Sequence, residues 1–225
     1  VTLDFHYEEG KKLFLELVKK SDVIFENFRT GTLEKWGLGM DVLRAANPDI
    51  IVTHVTGYGQ TGPNRYKSGF GNAVTGYAGV TYITGYSDGP PVPPAFSLCD
   101  YLSGLFAVIG SLVAILNKKS QEVDVALYEC MFRLQEVMVS RYYSNGVISE
   151  RGNKVGAPPG GLYRTKDGKY VNISCSTPKT YGYLMNAMGR GELAEMYDTV
   201  DLRKLAIPSQ TAEQWSSIPF VTPEA

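Results

Sequence analysis

A run of β-branched residues constrains the fold of this chain more than any other feature. Residues 49–55 include Ile50, Ile51, Val52 and Val55, and they lie between Asn47-Pro48 and a glycine-rich loop. Proline disfavours helix in the residue before it, and β-branched residues favour extended backbone. A strand that is apolar almost throughout is typical of a parallel sheet covered on both faces. The sequence therefore predicts an α/β fold.

Helices and strands alternate on both sides of that run. Short strands are predicted at 23–25 and 122–126, and helices at 8–20, 31–46, 70–78, 100–117 and 127–143. After about residue 150 the pattern changes to a β-hairpin over 162–175 and a helix over 178–188. We therefore predict a Rossmann-like parallel-sheet large domain over residues 1–150, a linker over 151–160 and a partial, smaller α+β domain over 161–225.

Charge and cysteine usage exclude several classes of protein. The 22 Lys and Arg nearly balance the 23 Asp and Glu, which argues against a nucleic-acid binder or a polybasic membrane-surface protein. The three cysteines are widely separated and the two histidines have no metal-ligand spacing, so we expect neither a disulfide framework nor a metal site. The acidic start resembles no signal peptide, and the apolar stretch 105–116 is too short to span a bilayer. We therefore expect a cytoplasmic protein.

A glycine pattern follows the predicted strand directly. Residues 57–62, Gly-Tyr-Gly-Gln-Thr-Gly, match the GxGxxG pattern of dinucleotide sites. That site requires the motif to open a helix whose N-terminus holds the pyrophosphate. Here Pro63-Asn64 follow, and residues 65–69 have no apolar helical face. The sequence favours a strand-end loop, which can still line a ligand crevice.

Asp100 is the candidate catalytic residue that the sequence offers, because it stands between a turn-rich loop and a very apolar helix. Aspartate is a favoured N-cap residue, and capping is the simpler interpretation. A carboxylate held ionised by a helix N-terminus can also serve as a covalent nucleophile. Cys99 is interpreted as a small buried residue, and His54 as a packed core group of the strand.

Four segments of the chain, in this order, are similar to one family of enzymes. They are Glu26-Asn27-Phe28-Arg29-Thr30-Gly31, Gly57 to Pro63, Asp100-x-x-Ser-Gly104 and Val123-Asp124-Val125-Ala126-Leu127-Tyr128-Glu129. Together they resemble the class III CoA-transferases, the CaiB/BaiF family. The segment after Tyr128 is most similar to the carnitine and bile-acid branch. The hairpin at 160–168 resembles the start of the family's small domain, and the resemblance covers residues 1 to about 190.

The resemblance implies a covalent mechanism for Asp100, which occupies the family's nucleophile position. The aspartate attacks the thioester of an acyl-CoA to give a mixed anhydride. The CoA thiolate returns to form an enzyme thioester or, in some members, stays bound, and an incoming carboxylic acid then takes the CoA. Coenzyme A or acyl-CoA is thus a substrate, and no metal is required. Backbone N–H donors would stabilise the tetrahedral oxyanions.

CoA-binding residues are carried over from the same resemblance. Asp4 and His6 lie in a segment expected to lead from a strand into a helix, where His6 replaces the family's lysine. Arg29 is expected to pair with a CoA phosphate, Phe28 to stack on adenine, and Asn27 to lie beside them. Lys35 stands where a family member has a basic residue. For each of these, ordinary surface duty is the alternative.

Departures from the family pattern separate the alternatives. The racemase branch carries a Gly-His-Asp segment that here reads Gly69-Phe70-Gly71. The phenylalanine side chain cannot accept or donate a proton in catalysis. A 2-methylacyl-CoA racemase is therefore the second hypothesis, and a truncated CoA-binding chain without activity is the third. The family's glycine-rich lid corresponds loosely to residues 155–159.

The chain of 225 residues starts with Val1 and is shorter than members of this family. We therefore expect a partial chain that lacks the first βα unit of the large domain and most of the small one. The resemblance implies a homodimer of interlocked chains that acts on an acyl-CoA and a carboxylic acid.

Overall fold

The computed structural model describes residues 2–152 and 161–196. The chain forms two compact units, Val1–Arg151 and Gly152–Ala225. Within the described residues, the first unit contains α1 (Glu8–Val18), β1 (Val23–Glu26), α2 (Thr32–Lys35), α3 (Met40–Ala46), β2 (Ile51–Thr56), α4 (Gly71–Tyr77), α5 (Val80–Ile83), α6 (Leu98–Asn117), β3 (Glu122–Ala126), α7 (Leu127–Arg133) and α8 (Met138–Asn145).

The first unit is built on a parallel sheet of order β1-β2-β3, which confirms the predicted α/β fold. One face of β2 packs with α1 and α3 around Val18, Leu43 and Val52. The other face packs with α6, where Val55 contacts a cluster formed by Ala107, Val125 and Cys130. Helices therefore cover the sheet on both sides, which explains why the β2 sequence is apolar almost throughout.

Small side chains let α6 lie close to the sheet. Its buried residues recur about every four positions, on one face: Cys99, Ser103, Ala107, Ser111 and Ala114. Ser111 shares a 2.7 Å hydrogen bond with Thr53 of β2, and a Cβ added at Gly110 would lie only 2.6 Å from Val123 Cγ1. The opposite face exposes large apolar residues, including Leu105, Ile109, Leu112 and Leu116.

The length of α6 corrects one sequence expectation. Residues 105–116 looked too short for a membrane span, but the helix runs for 20 residues, from Leu98 to Asn117. Among the described residues it is the one helix long and apolar enough to cross a membrane by length and composition. The apolar residues continue on both sides of the predicted stretch, and 28% of the apolar window is buried, on the face against the sheet.

Two helix boundaries differ from the prediction. Ser97, not Asp100, is the N-cap of α6, so Asp100 lies inside the first turn. The helix predicted over 127–143 is two helices, because the chain is interrupted at Glu136, whose φ is 50°. The side chain of Gln135 donates a hydrogen bond to the carbonyl of Ala78, and this tertiary contact accompanies the break.

The second unit contains the predicted hairpin and helix. Strands β4 (Gly161–Arg164) and β5 (Tyr170–Ile173) pair antiparallel, and α9 (Pro178–Ala187) begins after a Thr177–Thr180 capping box. A 3₁₀ helix follows at Gly191–Met196. Residues 153–160, which hold most of the predicted linker and the segment compared with a lid, and residues 197–225 lie outside the described part of the chain.

Candidate active site

A cleft of about 910 Å³ opens at the carboxyl ends of the three parallel strands. The residues that directly follow the strands line it: 27–30 after β1, Gly57 after β2 and Leu127 after β3. Arg65, residues 67–72, residues 94–100 and Gly104 also line it. Ligands of open α/β sheets bind at this edge, where loops meet outside the strand ends.

Asp100 stands in this cleft on the first turn of α6, with an exposed side chain. The free N–H groups of a helix N-terminus and the helix dipole stabilise a carboxylate placed there. The carboxylate faces the backbone of Gly71: a Cβ added at Gly71 would lie 3.1 Å from Oδ2 and 3.3 Å from Oδ1. Glycine at position 71 therefore leaves open space beside the carboxylate.

The neighbouring thiol is not a competing nucleophile. Cys99 is 2% exposed, and its Sγ lies 3.6 Å from the carbonyl oxygen of Leu127. Burial, together with the negative charge of Asp100, raises the pKa of Cys99 to about 11. The thiol therefore stays protonated at neutral pH, which agrees with its interpretation as a buried structural residue.

The glycine-rich segment after β2 is a loop, as the sequence favoured. No helix begins within residues 57–62; the next helix starts at Gly71. Gly57 is needed because the backbone of Gly69 crosses it: a Cβ on Gly57 would lie 2.6 Å from the Gly69 Cα. The loop is held by Asp124, whose Oδ2 accepts the N–H of Gln60 at 2.8 Å.

The predicted CoA loop lines the same cleft as Asp100. Asn27, Phe28 and Arg29 all contribute to its wall. The ring of Phe28 meets Trp36 edge to face, with centroids 5.0 Å apart. The hydroxyl of Thr30 donates to the Gly59 carbonyl at 3.2 Å, which joins this loop to the glycine-rich one.

The other three predicted CoA residues lie outside that wall. Asp4 Oδ1 accepts hydrogen bonds from the His6 N–H at 2.9 Å and pairs with its Nδ1 at 2.8 Å, and these contacts lower the pKa of Asp4. The His6 ring lies 6.0 Å from that of Trp36, which directly follows Lys35. Asp4, His6 and Lys35 are thus close to Phe28 through Trp36 rather than in the cleft. A turn, not the expected strand, precedes α1.

Two cations in the cleft were missed by sequence reasoning. Arg65 and Lys67 are exposed on its wall, and the guanidinium of Arg65 lies 4.6 Å from the centre of the Tyr66 ring. With Arg29, they give the described wall of the cleft three positive side chains, against one negative side chain, Asp100. The near-neutral net charge of the chain conceals this local excess, which suits an anionic ligand.

Residues 2–152 and 161–196 contain no group of three or more His, Cys, Asp or Glu side chains arranged to hold a metal ion. The charged side chains on the described wall of the cleft are the exposed carboxylate of Asp100 and the cations of Arg29, Arg65 and Lys67.

Comparison with known proteins identifies the family of the chain. The family model described as CoA-transferase family III matches residues 1–215. The succinyl-CoA–L-malate CoA-transferase beta subunit of Chloroflexus aurantiacus is 46% identical over 202 residues, which are 86% of this chain and 50% of that protein. The alpha subunit from the same organism is 43% identical over 227 residues, 96% of this chain and 53% of its own length.

A solved structure shows the same fold. The crystal structure of a CaiB/BaiF family protein from Brucella suis is 30% identical and matches with a TM-score of 0.76, covering 98% of this chain and 58% of the other. The chain thus spans about half the length of the curated relatives it matches.

Proposed function

Because the chain belongs to CoA-transferase family III, we propose that the protein transfers CoA between carboxylic acids and that Asp100 is its covalent nucleophile. The observation that carries the proposal is the meeting of Asp100 with Asn27, Phe28 and Arg29 in one cleft at the sheet edge. These residues come from two motifs that are more than 70 positions apart in the sequence. In this proposal residues 1–150 are the CoA-binding and catalytic domain, 151–160 a linker, and 161–225 part of a smaller domain.

The proposed chemistry starts with the Asp100 carboxylate, which attacks the thioester carbonyl carbon of an acyl-CoA. The C–S bond breaks, CoA leaves as the thiolate, and an acyl-aspartyl anhydride remains. The thiolate then attacks the aspartyl carbonyl, so that an aspartyl-CoA thioester forms and the first acid departs as its carboxylate. The second carboxylate reverses these two steps and leaves with the CoA, which restores Asp100. No net proton transfer is required, so the reaction needs neither a thiolate at Cys99 nor a general base.

The CoA moiety would lie along the loop after β1. We propose that Arg29 pairs with a phosphate and that Phe28, supported by Trp36, stacks on the adenine, with Asn27 beside them. Asp4, His6 and Lys35 would serve the outer end of this site, since they lie near Trp36 and outside the cleft wall.

A dicarboxylic acid is the substrate class that we propose for the acyl group. The relatives compared above are named for succinyl-CoA and L-malate, which both carry a second carboxylate. Arg65 and Lys67 offer positive charge on the same wall as Asp100. The predicted likeness to the carnitine and bile-acid branch stays a prediction.

Racemisation is the weaker alternative. It needs a proton carrier opposite Asp100, and the segment that faces this carboxylate reads Gly69-Phe70-Gly71. None of these side chains can take up a proton from a substrate α-carbon. Solvent deuterium entering the α-position of 2-methylacyl-CoA would support the alternative.

Trapping of the covalent intermediate tests the proposal. The complete protein is incubated with succinyl-CoA, treated with hydroxylamine and mapped by peptide mass spectrometry. Asp100→Asn is the test variant, and Asp88→Asn is the matched control, because Asp88 is exposed and does not line the cleft. We expect a hydroxamate on Asp100 in the unmodified protein and in the Asp88 variant only. An active protein with no modification at Asp100 would disprove the role of Asp100 as the nucleophile. CoA binding without any CoA transfer would favour the third hypothesis, a CoA-binding chain without activity.

We also propose that the complete protein is a dimer located in the cytoplasm, with no nucleic-acid or membrane partner. The alpha and beta names of the relatives make either a second copy or a related subunit the partner. Sedimentation of the complete protein at micromolar concentration should give twice the monomer mass, and a monomer would contradict this.

A further inference from the structure

A buried ion pair lies directly behind the loop assigned above to CoA, and neither of its residues belongs to the proposed cleft. His54 of β2 and Glu26 of β1 are cross-strand neighbours, 5% and 9% exposed. Their side chains meet at 2.5 Å, between His54 Nδ1 and Glu26 Oε1. Buried charges are costly unless they are paired, so a sheet with only a structural role would be expected to carry apolar residues here.

The second oxygen of Glu26 reaches the loop. Oε2 accepts a 2.7 Å hydrogen bond from the backbone N–H of Phe28. Glu26 is the last residue of β1, so its side chain turns forward over the chain that leaves the sheet. One carboxylate thus connects the fixed centre of the sheet with the residue whose ring rests on Trp36.

We propose that Glu26 and His54 are a positioning pair that holds residues 27–30 in the conformation that binds CoA. The inference rests on the proposed function, because it assigns to the pair an effect on the CoA site. Neither residue lines the cleft, so both act through the loop rather than on the substrate.

The pair also gives the loop a dependence on pH. Burial by itself would lower the pKa of His54, but the hydrogen bond and charge of Glu26, with a smaller contribution from Glu122, raise it above its usual 6.5. Glu122 Oε1 of β3 lies 3.4 Å from Nε2, Glu34 of α2 lines the small cavity at the ring, and Asp124 is in register with His54. Every charged group named here is negative, so all favour the imidazolium.

The sign follows from the raised pKa. The imidazolium is present at low pH and compensates the buried Glu26 carboxylate. As the pH rises through the folded-state pKa of His54, the imidazolium loses its positive charge. The Glu26 carboxylate then stays buried without that compensating charge. We therefore expect CoA to bind more weakly above that pKa than below it.

Calorimetric titration of the complete protein with CoA between pH 5.5 and 9 tests the inference, together with the KM for succinyl-CoA and the rate at saturation. Glu26→Ala removes the contact to Phe28, and we expect Kd and KM to rise about tenfold or more, as for loss of a charged hydrogen bond, with the saturated rate changed less than about threefold. Glu26→Gln keeps an acceptor for Phe28 without the charge. His54→Gln keeps a donor for Glu26 that does not titrate. Both should retain binding at pH 9 and lose the extra affinity that the unmodified protein shows at pH 6.

Thr53→Val is the matched control. Thr53 is buried in the same strand as His54 but faces α6, and the substitution removes its hydrogen bond to Ser111. It should lower the denaturation midpoint without changing Kd or its pH dependence.

The outcomes separate this inference from the function on which it rests. Should Glu26→Ala not fold, the two glutamine variants decide, since wild-type pH dependence in both would overturn the pair. A folded Glu26→Ala that binds CoA as tightly as the unmodified protein would also overturn it. An unmodified protein that binds no CoA and forms no Asp100 adduct would instead refute the proposed function.

Discussion

Replacing Gly71 by alanine should stabilise the fold and impair the reaction, a combination that tests the placement of Asp100 directly. Gly71 begins α4, and its φ is outside the left-handed region that favours glycine. Alanine is a better helix former than glycine by up to about 1 kcal/mol, less at a first position. The free energy of unfolding should therefore stay constant or rise by a few tenths of a kcal/mol.

The reaction is affected because of the new methyl group. It would lie 3.1 Å from Oδ2 and 3.3 Å from Oδ1 of Asp100, a few tenths of an ångström inside ordinary contact. The carboxylate can rotate away, but it then leaves the position that the acyl carbonyl has to approach. A misplacement of about 1 Å can cost about a hundredfold, so a shift of a few tenths should cost roughly three- to tenfold in adduct formation.

The assay compares single-turnover formation of the Asp100 adduct with urea denaturation of the same samples. Gly76→Ala is the control, because it is in the same helix and its nearest neighbour would be Thr81 Oγ1 at 4.0 Å. It should share any gain in stability and keep the normal rate. An unchanged rate in Gly71→Ala, or an equal loss in Gly76→Ala, would refute the proposed geometry.

Three further predictions concern the surroundings of the cleft. Gly57→Ala should destabilise the protein by about 1–3 kcal/mol in chemical denaturation. The reason is that its Cβ would lie 2.6 Å from the Gly69 Cα, and backbone cannot move aside as a side chain does. Unchanged stability would contradict the close approach of the Gly57 and Gly69 backbones. Cys99, with its pKa near 11, should be about one part in a thousand thiolate at pH 8, so iodoacetamide should label it only after unfolding, and rapid labelling of the native protein would show that it is accessible. The unmodified protein should have a higher free energy of unfolding than His54→Gln, as measured by urea denaturation. This difference should be largest below pH 6.5 and should shrink as the pH rises through the raised pKa of His54. An opposite trend would exclude the Glu26 pairing.

Elements that depend on local sequence could be predicted, and those that depend on tertiary contacts could not. The strand around Val52 and the end of the second long helical region at Gly146 follow from β-branched residues and from a glycine with positive φ. The interruption at Glu136 does not, because residues 127–143 read as one helix until Gln135 reaches the carbonyl of Ala78. Asp100 likewise looked like an N-cap, since the preference for aspartate is local, but the helix starts at Leu98.

The candidate site shows the same contrast between residues that sequence motifs identify and contacts that depend on the tertiary structure. The motif residues Phe28 and Asp100 could be named from the sequence, and both line one cleft. Arg65 and Lys67 could not, because their loop has no periodic pattern that fixes its path. The burial of His54 was predicted from the strand, yet its pairing depends on the register of β1 against β2, which one sequence does not specify.

The glycines around the cleft have a common purpose that links the fold to the chemistry. Parallel strands end at one edge, so the loops that follow them compete for the same space. Gly57 and Gly69 let two backbones cross at a separation that no Cβ would permit, and Gly71 then passes beside the Asp100 carboxylate. The pattern that resembles a dinucleotide fingerprint therefore brings residues 69–71 close to the proposed nucleophile. A substitution at Gly57, Gly69 or Gly71 should reduce the rate of Asp100 adduct formation more than it weakens CoA binding at Phe28.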